Sequence, residues 1–236
     1  MKKTLNWLFD YPNLKVYQFE EGFKFSLDSI LLAEFAEIKK EDTKIIDLCT
    51  GNAVVPIILS SKYQKNIVGV EIQPEIYDLA VKSVAENNLG NNISLINDSV
   101  LNLKNYFPGN NFQVVLCNPP YFKYVNDSKV NENYIKRVAR HEITVTLEEI
   151  IEIGSFLLNN KGRFYMVHVP DRVDEIFVYA YKHGMAVKEL QFVHSKMNEK
   201  PIIVLVCLVK SGKFGTKVYP PLCIKDLTTY QNIFRK

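Results

Sequence analysis

From residue 44 onward, short runs of β-branched and other apolar residues alternate with segments of helical periodicity. The runs predict five strands, at 44–49, 66–71, 92–97, 112–117 and 163–169. Helical patterns at 53–62, 74–89, 147–158 and 173–184 separate most of them. Strands joined through helices form right-handed crossovers, so we expect one mostly parallel sheet with both faces covered.

Two further apolar runs, at about 186–194 and 201–210, come last and are separated only by a polar turn. A connection without a helix predicts an antiparallel pair. The pattern therefore predicts a three-layer, Rossmann-like α/β fold whose seven-stranded, mostly parallel sheet ends in an antiparallel hairpin. No repeat or linker divides the chain, which predicts a single domain over residues 1–236. Ligands of such sheets bind beyond the carboxyl ends of the strands.

Composition indicates what class of protein the chain belongs to and in which cellular compartment we expect it. With 47% hydrophobic and 23% charged residues the chain is typical of a globular protein, and it has no apolar run of about 18 residues and no leader pattern. Four cysteines lack C-x-x-C spacing and pair with no histidine at ligand spacing, so we expect reduced thiols and no metal site. These features favour a cytoplasmic protein without membrane partners.

Charge is unevenly distributed along the chain. Residues 161–236 carry 13 basic and 6 acidic side chains, whereas residues 1–160 carry 16 and 20. A basic C-terminal third is compatible with binding a polyanion such as nucleic acid, and equally with lysines that only keep the surface solvated.

Acidic residues follow three successive strands of the predicted sheet. Asp47 ends the first, within Asp47-Leu48-Cys49-Thr50-Gly51, Glu71 ends the second, and Asp98 follows the third. Gly51 allows a sharp turn close to a ligand. A carboxylate at the second strand end can accept hydrogen bonds from a ribose, and Asp98 is placed to accept from an adenine amino group. The pattern indicates a cofactor that contains adenosine.

Two such cofactors are a nicotinamide dinucleotide and S-adenosylmethionine. A dinucleotide site requires G-x-G-x-x-G to hold the pyrophosphate, but residues 49–54 contain one glycine, and Asp47 would repel phosphates. S-adenosylmethionine carries no phosphate, and carboxylates favour its ammonium group. The sequence therefore favours the methyl donor.

The most specific motif is Asn118-Pro119-Pro120-Tyr121, directly after the fourth strand. The two prolines fix φ and remove two backbone donors, which leaves a stiff loop with free carbonyl acceptors. Tyr121 offers an aromatic surface on which a base can stack. We expect these four residues to form the catalytic loop.

Together, this loop and the Asp-x-x-x-Gly turn resemble class I S-adenosylmethionine-dependent methyltransferases that modify planar amino or amide nitrogens. Segments 23–32, 47–52, 69–73 and 139–142 are similar to one bacterial group, the tRNA (adenine-N6)-methyltransferases that act on position 37 of valine tRNA. The resemblance covers roughly residues 20–210. It implies an N-terminal extension, residues 1–43, that packs over the cofactor site.

The resemblance also implies which residues bind the donor. They are Asp28, Asp47, Cys49, Gly51, Glu71, Ile72, Asp98 and Asn118. Among them, Asp47 and Gly51 would lie near the methionine part with Asp28 above it, Glu71 would hold the ribose, and Asp98 the adenine of the cofactor. The chain departs from the family pattern at Cys49 and Ala53, where glycines are usual.

The exocyclic nitrogen of adenine is a poor nucleophile, because its lone pair is delocalised into the ring. We expect the Asn118 side-chain oxygen and the Pro119 carbonyl each to accept one N–H from it, which aims the lone pair at the methyl group. The base must be extruded to reach the pocket, and Tyr121 with Phe122 would stack on it. Basic residues near this loop would hold tRNA phosphates: Lys123, Lys136, Arg137 and Arg140.

Other functions remain open from the sequence. The same loop would serve a ribosomal RNA base N-methyltransferase or a glutamine-N5 methyltransferase of a release factor. Against the latter, about 43 residues precede the first strand, too few for a separate partner-binding domain, and no protein partner is evident. A binding protein with an inactive site would carry an altered loop, and residues 118–121 are intact.

Overall fold

A computed structural model describes residues 2–8, 11–21, 27–121 and 145–224 of the 236-residue chain. Its helices are α1 (Leu27–Phe35), α2 (Val54–Tyr63), α3 (Pro74–Glu86), α4 (Leu147–Leu157) and α5 (Val173–Lys182). Its strands are β1 (Lys3–Leu8), β2 (Tyr11–Phe19), β3 (Ile45–Leu48), β4 (Ile67–Val70), β5 (Ile93–Ile96), β6 (Phe112–Cys117), β7 (Leu158–His168), β8 (Met185–His194), β9 (Pro201–Lys210), β10 (Lys217–Val218) and β11 (Leu222–Cys223). Within these ranges no helix is long and apolar enough to cross a bilayer.

The main sheet has the strand order β10-β8-β9-β7-β6-β3-β4-β5, and β11 also pairs with β8. Strands β3 to β7 run parallel, whereas β9 is antiparallel to both β7 and β8. All five parallel strands therefore end at one edge of the sheet. The predicted donor-binding and catalytic residues that follow β3, β4, β5 and β6 are thereby placed along that edge.

Central strands are apolar on both faces because helices cover both. In β3, Ile45 packs into a core shared with α1 and α2, whereas Ile46 packs into a core shared with α4 and α5. In β7, Tyr165 and Phe164 divide between the same two cores. All four side chains are at most 1% exposed, as expected for parallel strands between two helical layers.

The predicted three-layer fold and its antiparallel terminal hairpin are confirmed, with all seven predicted strands present. Two strands of two residues each, β10 and β11, extend the main sheet to nine. The largest difference in a boundary is at the start of β7, which was predicted at residue 163. Leu158, expected on the stripe of α4, begins β7 instead, because it pairs with Phe112 across the sheet.

The N-terminal region contains a hairpin that the sequence patterns did not predict. Strands β1 and β2 form a separate antiparallel two-stranded sheet. Phe19 packs against Ile76 and Leu79 of α3, and the backbone N–H of Tyr17 donates to Ser83 Oγ at 2.9 Å. The hairpin is thus attached to α3 by both apolar and polar contacts.

Close packing of α4 on β7 depends on Gly154. A Cβ placed there would lie 2.5 Å from Cε1 of Phe164, a ring that is fully buried. We expect Gly154→Ala to destabilise the protein by about 1–3 kcal/mol, since overpacking outweighs the helix propensity that alanine adds. Urea unfolding measures this change. As a control, Gly90→Ala, where a Cβ meets no atom within 4 Å, should stay within about 0.5 kcal/mol of the wild type. Equal stabilities of the two variants would contradict the packing argument.

Candidate functional site

The turn from β3 into α2 carries the first predicted donor-binding residues. Backbone φ is positive at Cys49, Gly51 and Ala53, at 56°, 59° and 68°. This left-handed region costs nothing for glycine and roughly 1–2 kcal/mol for a residue with a Cβ. Cys49 and Ala53 therefore adopt the left-handed conformation that glycine favours, although each of them has a side chain.

Asp47, the third residue of β3, places a buried carboxyl group under this turn. Its Oδ2 accepts from Thr50 Oγ1 at 2.6 Å, whereas Oδ1 is buried and has no hydrogen-bond partner among the residues described. Burial raises the pKa of Asp47 to about 7; the Thr50 bond opposes the rise and the charge of Glu71 adds to it. An unpaired buried oxygen is costly, so this atom is an acceptor available to a ligand.

Glu71 follows β4 and connects two turns. Its Oε2 accepts from the N–H of Gly51 at 3.0 Å, and its Oε1 accepts from the N–H of Gln73 at 2.9 Å. Burial raises the pKa of Glu71, and these backbone bonds partly offset the rise. Each carboxylate oxygen can accept a second bond, so the group can still receive hydroxyl donors. The neighbouring Ile72 is 38% exposed and lies at the same edge of the sheet.

Asp98 lies two residues beyond the end of β5 and is partly exposed. Its carboxylate accepts from Ser99 N at 2.7 Å, Asn102 Nδ2 at 2.7 Å and Tyr106 Oη at 2.8 Å. Hydrogen bonds from Asn102, Tyr106 and Ser99 lower the pKa of Asp98. The group is therefore an ionised acceptor held in a fixed orientation.

The Asn118–Tyr121 loop leaves the end of β6 beside the start of α1. Asn118 Nδ2 donates to Ser29 Oγ at 3.0 Å. The Tyr121 hydroxyl shares its one proton between two acceptors, Asp28 Oδ2 at 2.9 Å and Asn118 Oδ1. The structure thus brings Asp28, Asn118 and Tyr121 together, although Asp28 is about ninety residues earlier in the chain.

His168, the last residue of β7, contacts the same tyrosine. The ring centroids of Tyr121 and His168 are 5.3 Å apart and tilted by 56°. His168 Nδ1 accepts from the N–H of Val169 at 2.9 Å, and Nε2 is buried without a partner in the described part of the chain. Burial, with a smaller effect of the Arg172 charge, lowers the pKa of His168 to about 4, so the ring is neutral at pH 7.

Tyr121 itself is protonated at any physiological pH. Burial raises its pKa well above the usual value, and the charge of Asp28 raises it further. The hydroxyl therefore acts in this site as a hydrogen-bond donor and not as a base.

Several predicted residues cannot be placed. Phe122, Lys123, Lys136, Arg137 and Arg140, all predicted to bind substrate, lie outside the described residues. Conversely, Ser29, Thr50 and His168 contact the site but were not predicted. Ser29 follows Asp28 in a segment already identified by resemblance, whereas a lone histidine at a strand end gives no comparable signal.

Comparison with known proteins supports the prediction that the chain is a methyltransferase. A family model described as a methyltransferase domain matches residues 45–141. A curated relative from Pedobacter heparinus, named tRNA1(Val) (adenine(37)-N6)-methyltransferase, is 27% identical over 87% of this chain and 85% of its own length. A protein of the same name from Photobacterium profundum is 23% identical over 90% of this chain and 88% of its own.

Solved structures agree on the fold. A protein described as a predicted O-methyltransferase, from Agrobacterium tumefaciens, superposes with a TM-score of 0.66 at 19% identity, covering 84% of this chain and 88% of that one. TYW2 from M. jannaschii, solved in complex with AdoMet, gives a TM-score of 0.57 at 13% identity, covering 88% and 84%. The chain therefore has the class I methyltransferase fold and carries a methyltransferase domain, and the predicted resemblance is confirmed.

Proposed function

We propose that this chain, a homologue of the proteins named tRNA1(Val) (adenine(37)-N6)-methyltransferase, transfers a methyl group from S-adenosylmethionine to the exocyclic N6 of an adenine in tRNA. Adenine 37 of valine tRNA is the nucleotide that the names of these relatives specify. The observation that carries the proposal is the intact Asn-Pro-Pro-Tyr loop at the end of β6, held against α1 by two side-chain hydrogen bonds.

Acidic and unpaired acceptors at this edge fit S-adenosylmethionine. Asp47 Oδ1 is a buried acceptor with no described partner, and Glu71 and Asp98 add carboxylates beside it on the next strand ends. Carboxylates favour a ligand with an ammonium group, hydroxyls and an amino group, and they repel phosphates. When bound, this donor supplies an electrophilic methyl group on a sulfonium. We assign its ammonium end to Asp47 and Asp28, its ribose to Glu71, and its adenine to Asp98 and Ile72.

The remaining donor-binding positions act through the backbone. Cys49 and Gly51 bring the β3 turn close to the sheet edge, and the N–H of Gly51 already bonds Glu71. Asn52 Nδ2 donates to the backbone oxygen of Tyr17 at 2.9 Å, which connects the same turn to the N-terminal hairpin. This contact supports our proposal that residues 1–43 extend one methyltransferase domain and pack over the donor site.

In the proposed reaction Asn118 Oδ1 and the Pro119 carbonyl each accept one N–H of the target amine. Asparagine cannot remove a proton at neutral pH, so these groups act by orienting the nitrogen and by stabilising the positive charge that develops on it. Pro120 keeps the loop stiff, which maintains the two acceptors at a fixed separation. The proton leaves after the methyl group has been transferred.

Tyr121 has two roles in this proposal. Its ring would stack on the extruded base, while its hydroxyl holds Asp28 and Asn118 in place. The neutral His168 ring packs against it and limits its movement. Phe122 would complete the stacking surface, and the basic residues Lys123, Lys136, Arg137 and Arg140 would bind tRNA phosphates, in a cytoplasmic enzyme that requires no metal.

The test is methyl transfer in vitro. The protein would be incubated with isotope-labelled S-adenosylmethionine and unmodified tRNA, and the digested nucleosides analysed by mass spectrometry. We expect label in N6-methyladenosine from valine tRNA, and none when adenine 37 is replaced by guanine. Label in another nucleoside, or in release factor supplied as a competing substrate, would contradict the proposal.

A further inference from the structure

The amide of Asn118 has two chemically different ends, and the structure shows where each one points. Nδ2 donates to Ser29 Oγ at 3.0 Å, on the side of α1. Oδ1 points to the other side, where it accepts from the hydroxyl of Tyr121. Ser29 lies near the start of α1 and is 89 positions away from Asn118 in sequence, so this contact exists only in the folded protein.

This orientation matters because only one end of the amide can receive the target amine. An N–H group of adenine needs an oxygen acceptor, whereas the NH2 end of the asparagine would meet it as a second donor. Rotation of the amide by a half-turn exchanges the two ends at little steric cost. The loop prolines restrict the backbone but leave this side-chain rotation free.

We infer that Ser29 is a positioning residue that holds the Asn118 amide with its oxygen toward the substrate. The Ser29 hydroxyl accepts the Nδ2–H while the Tyr121 hydroxyl donates to Oδ1, so the two contacts together favour this orientation of the amide. Without Ser29 the nitrogen end would face α1 with no acceptor. This inference deepens the proposed function and rests on it, since it concerns the same asparagine and the same amine acceptor.

Helix α1 is a rigid support for this acceptor. The residues after Ser29 are at most 1% exposed from Ile30 to Ala33, within the core that α1 shares with α2. Farther along α1, Glu34 forms an ion pair with Lys62 of α2 at 2.9 Å. The Asp28–Tyr121 hydrogen bond ties the first turn of α1 to the same loop. Ser29 therefore has little freedom to follow the amide if it rotates.

The first experiment compares three variants in methyl transfer to tRNA. Ser29→Ala should lower kcat about tenfold with the donor Kd unchanged within twofold, because the nitrogen end loses its acceptor. Ser29→Thr keeps the hydroxyl and should recover activity to within about threefold. The control is Ser60→Ala, which removes a buried helical serine whose Oγ has no partner among the residues described, and it should leave kcat unchanged.

The second experiment separates positioning from general support of the fold. In an Asn118→Asp background the side chain presents an oxygen to the substrate in either orientation. Activity then no longer depends on which orientation the side chain adopts. We expect Ser29→Ala to change kcat less than twofold in that background, a clear departure from additivity. Melting temperatures of all variants, measured by calorimetry, report whether each one is folded.

An unchanged kcat in Ser29→Ala would overturn the inference, and so would an equal loss in both backgrounds. Equal losses would mean that Ser29 only supports the fold. These outcomes are distinct from failure of the proposed function, in which the wild-type protein itself would form no N6-methyladenosine.

Discussion

We expect the Asn118→Ala variant to lose about 10²–10³-fold in kcat while its affinity for S-adenosylmethionine stays within twofold of the wild type. Alanine removes one of the two oxygens that accept the target N–H, and the amine is then neither held in line nor stabilised as positive charge develops. Donor binding is retained because Asp47 lies in β3, and Glu71 and Asp98 follow β4 and β5, so none of them is on the Asn118 loop. Single-turnover methyl transfer and titration calorimetry measure the two quantities separately.

Asn111→Ala is a matched control for this variant. Asn111 immediately precedes β6, at the opposite end of the strand from Asn118, and its side chain bonds only Lys44 among the described contacts. We expect its kcat to remain within twofold of the wild type. If Asn118→Ala instead lost donor affinity and kept its turnover, Asn118 would serve only to bind the cofactor, and the role assigned to it in methyl transfer would be wrong.

The second large effect is expected from Asp47→Asn. Burial raises the pKa of Asp47 to about 7 in the folded protein, from 3.8. The folded state therefore binds this proton more tightly than the unfolded state, and stability falls as pH rises from about 4 to about 7. At pH 8 the ionised Asp47 destabilises the folded protein by its full amount, on the order of 4 kcal/mol at 1.36 kcal/mol per pKa unit.

Asparagine carries no charge and avoids this cost. We expect donor-free Asp47→Asn to be more stable than the wild type at pH 8, with the difference shrinking toward pH 4, and to bind S-adenosylmethionine at least tenfold more weakly. Urea unfolding across this pH range and calorimetry test both expectations. Asp78→Asn, at an exposed position of α3, should change neither quantity. A less stable Asp47→Asn protein at pH 8 would show that the carboxylate is compensated within the fold.

Much of this architecture could be predicted because it depends on local patterns. Strands buried on both faces form continuous apolar runs, as in residues 114–117 of β6, and their order along the chain determines the parallel connections. Asp47, Glu71 and Asn118 could be recognised because strand ends are visible in sequence. The carboxyl ends of parallel strands lie at one edge of the sheet, so residues at these ends can be placed together without predicting any contact between distant segments.

Other features depend on contacts between distant segments. The hydrogen bond from Asn118 to Ser29 joins residues of β6 and α1, and no periodicity predicts it. The β1–β2 hairpin is stabilised by docking on α3. The alternation of apolar and polar residues in its two strands is too weak a pattern to predict it alone. The positive φ of Cys49 and Ala53 likewise has no signal in the residue types, and it occurs in a turn whose Gly51 N–H bonds the distant Glu71.

The most direct test is a crystal structure of the protein with S-adenosylhomocysteine and an anticodon stem-loop that contains adenine 37. We expect the ribose hydroxyls of the cofactor on Glu71, and the adenine amine within about 3 Å of both Asn118 Oδ1 and the Pro119 carbonyl. The amine should face the sulfur of the cofactor, and Asn118 Nδ2 should still donate to Ser29 Oγ. A cofactor bound away from this loop, or an adenine amine that meets neither oxygen, would contradict the account.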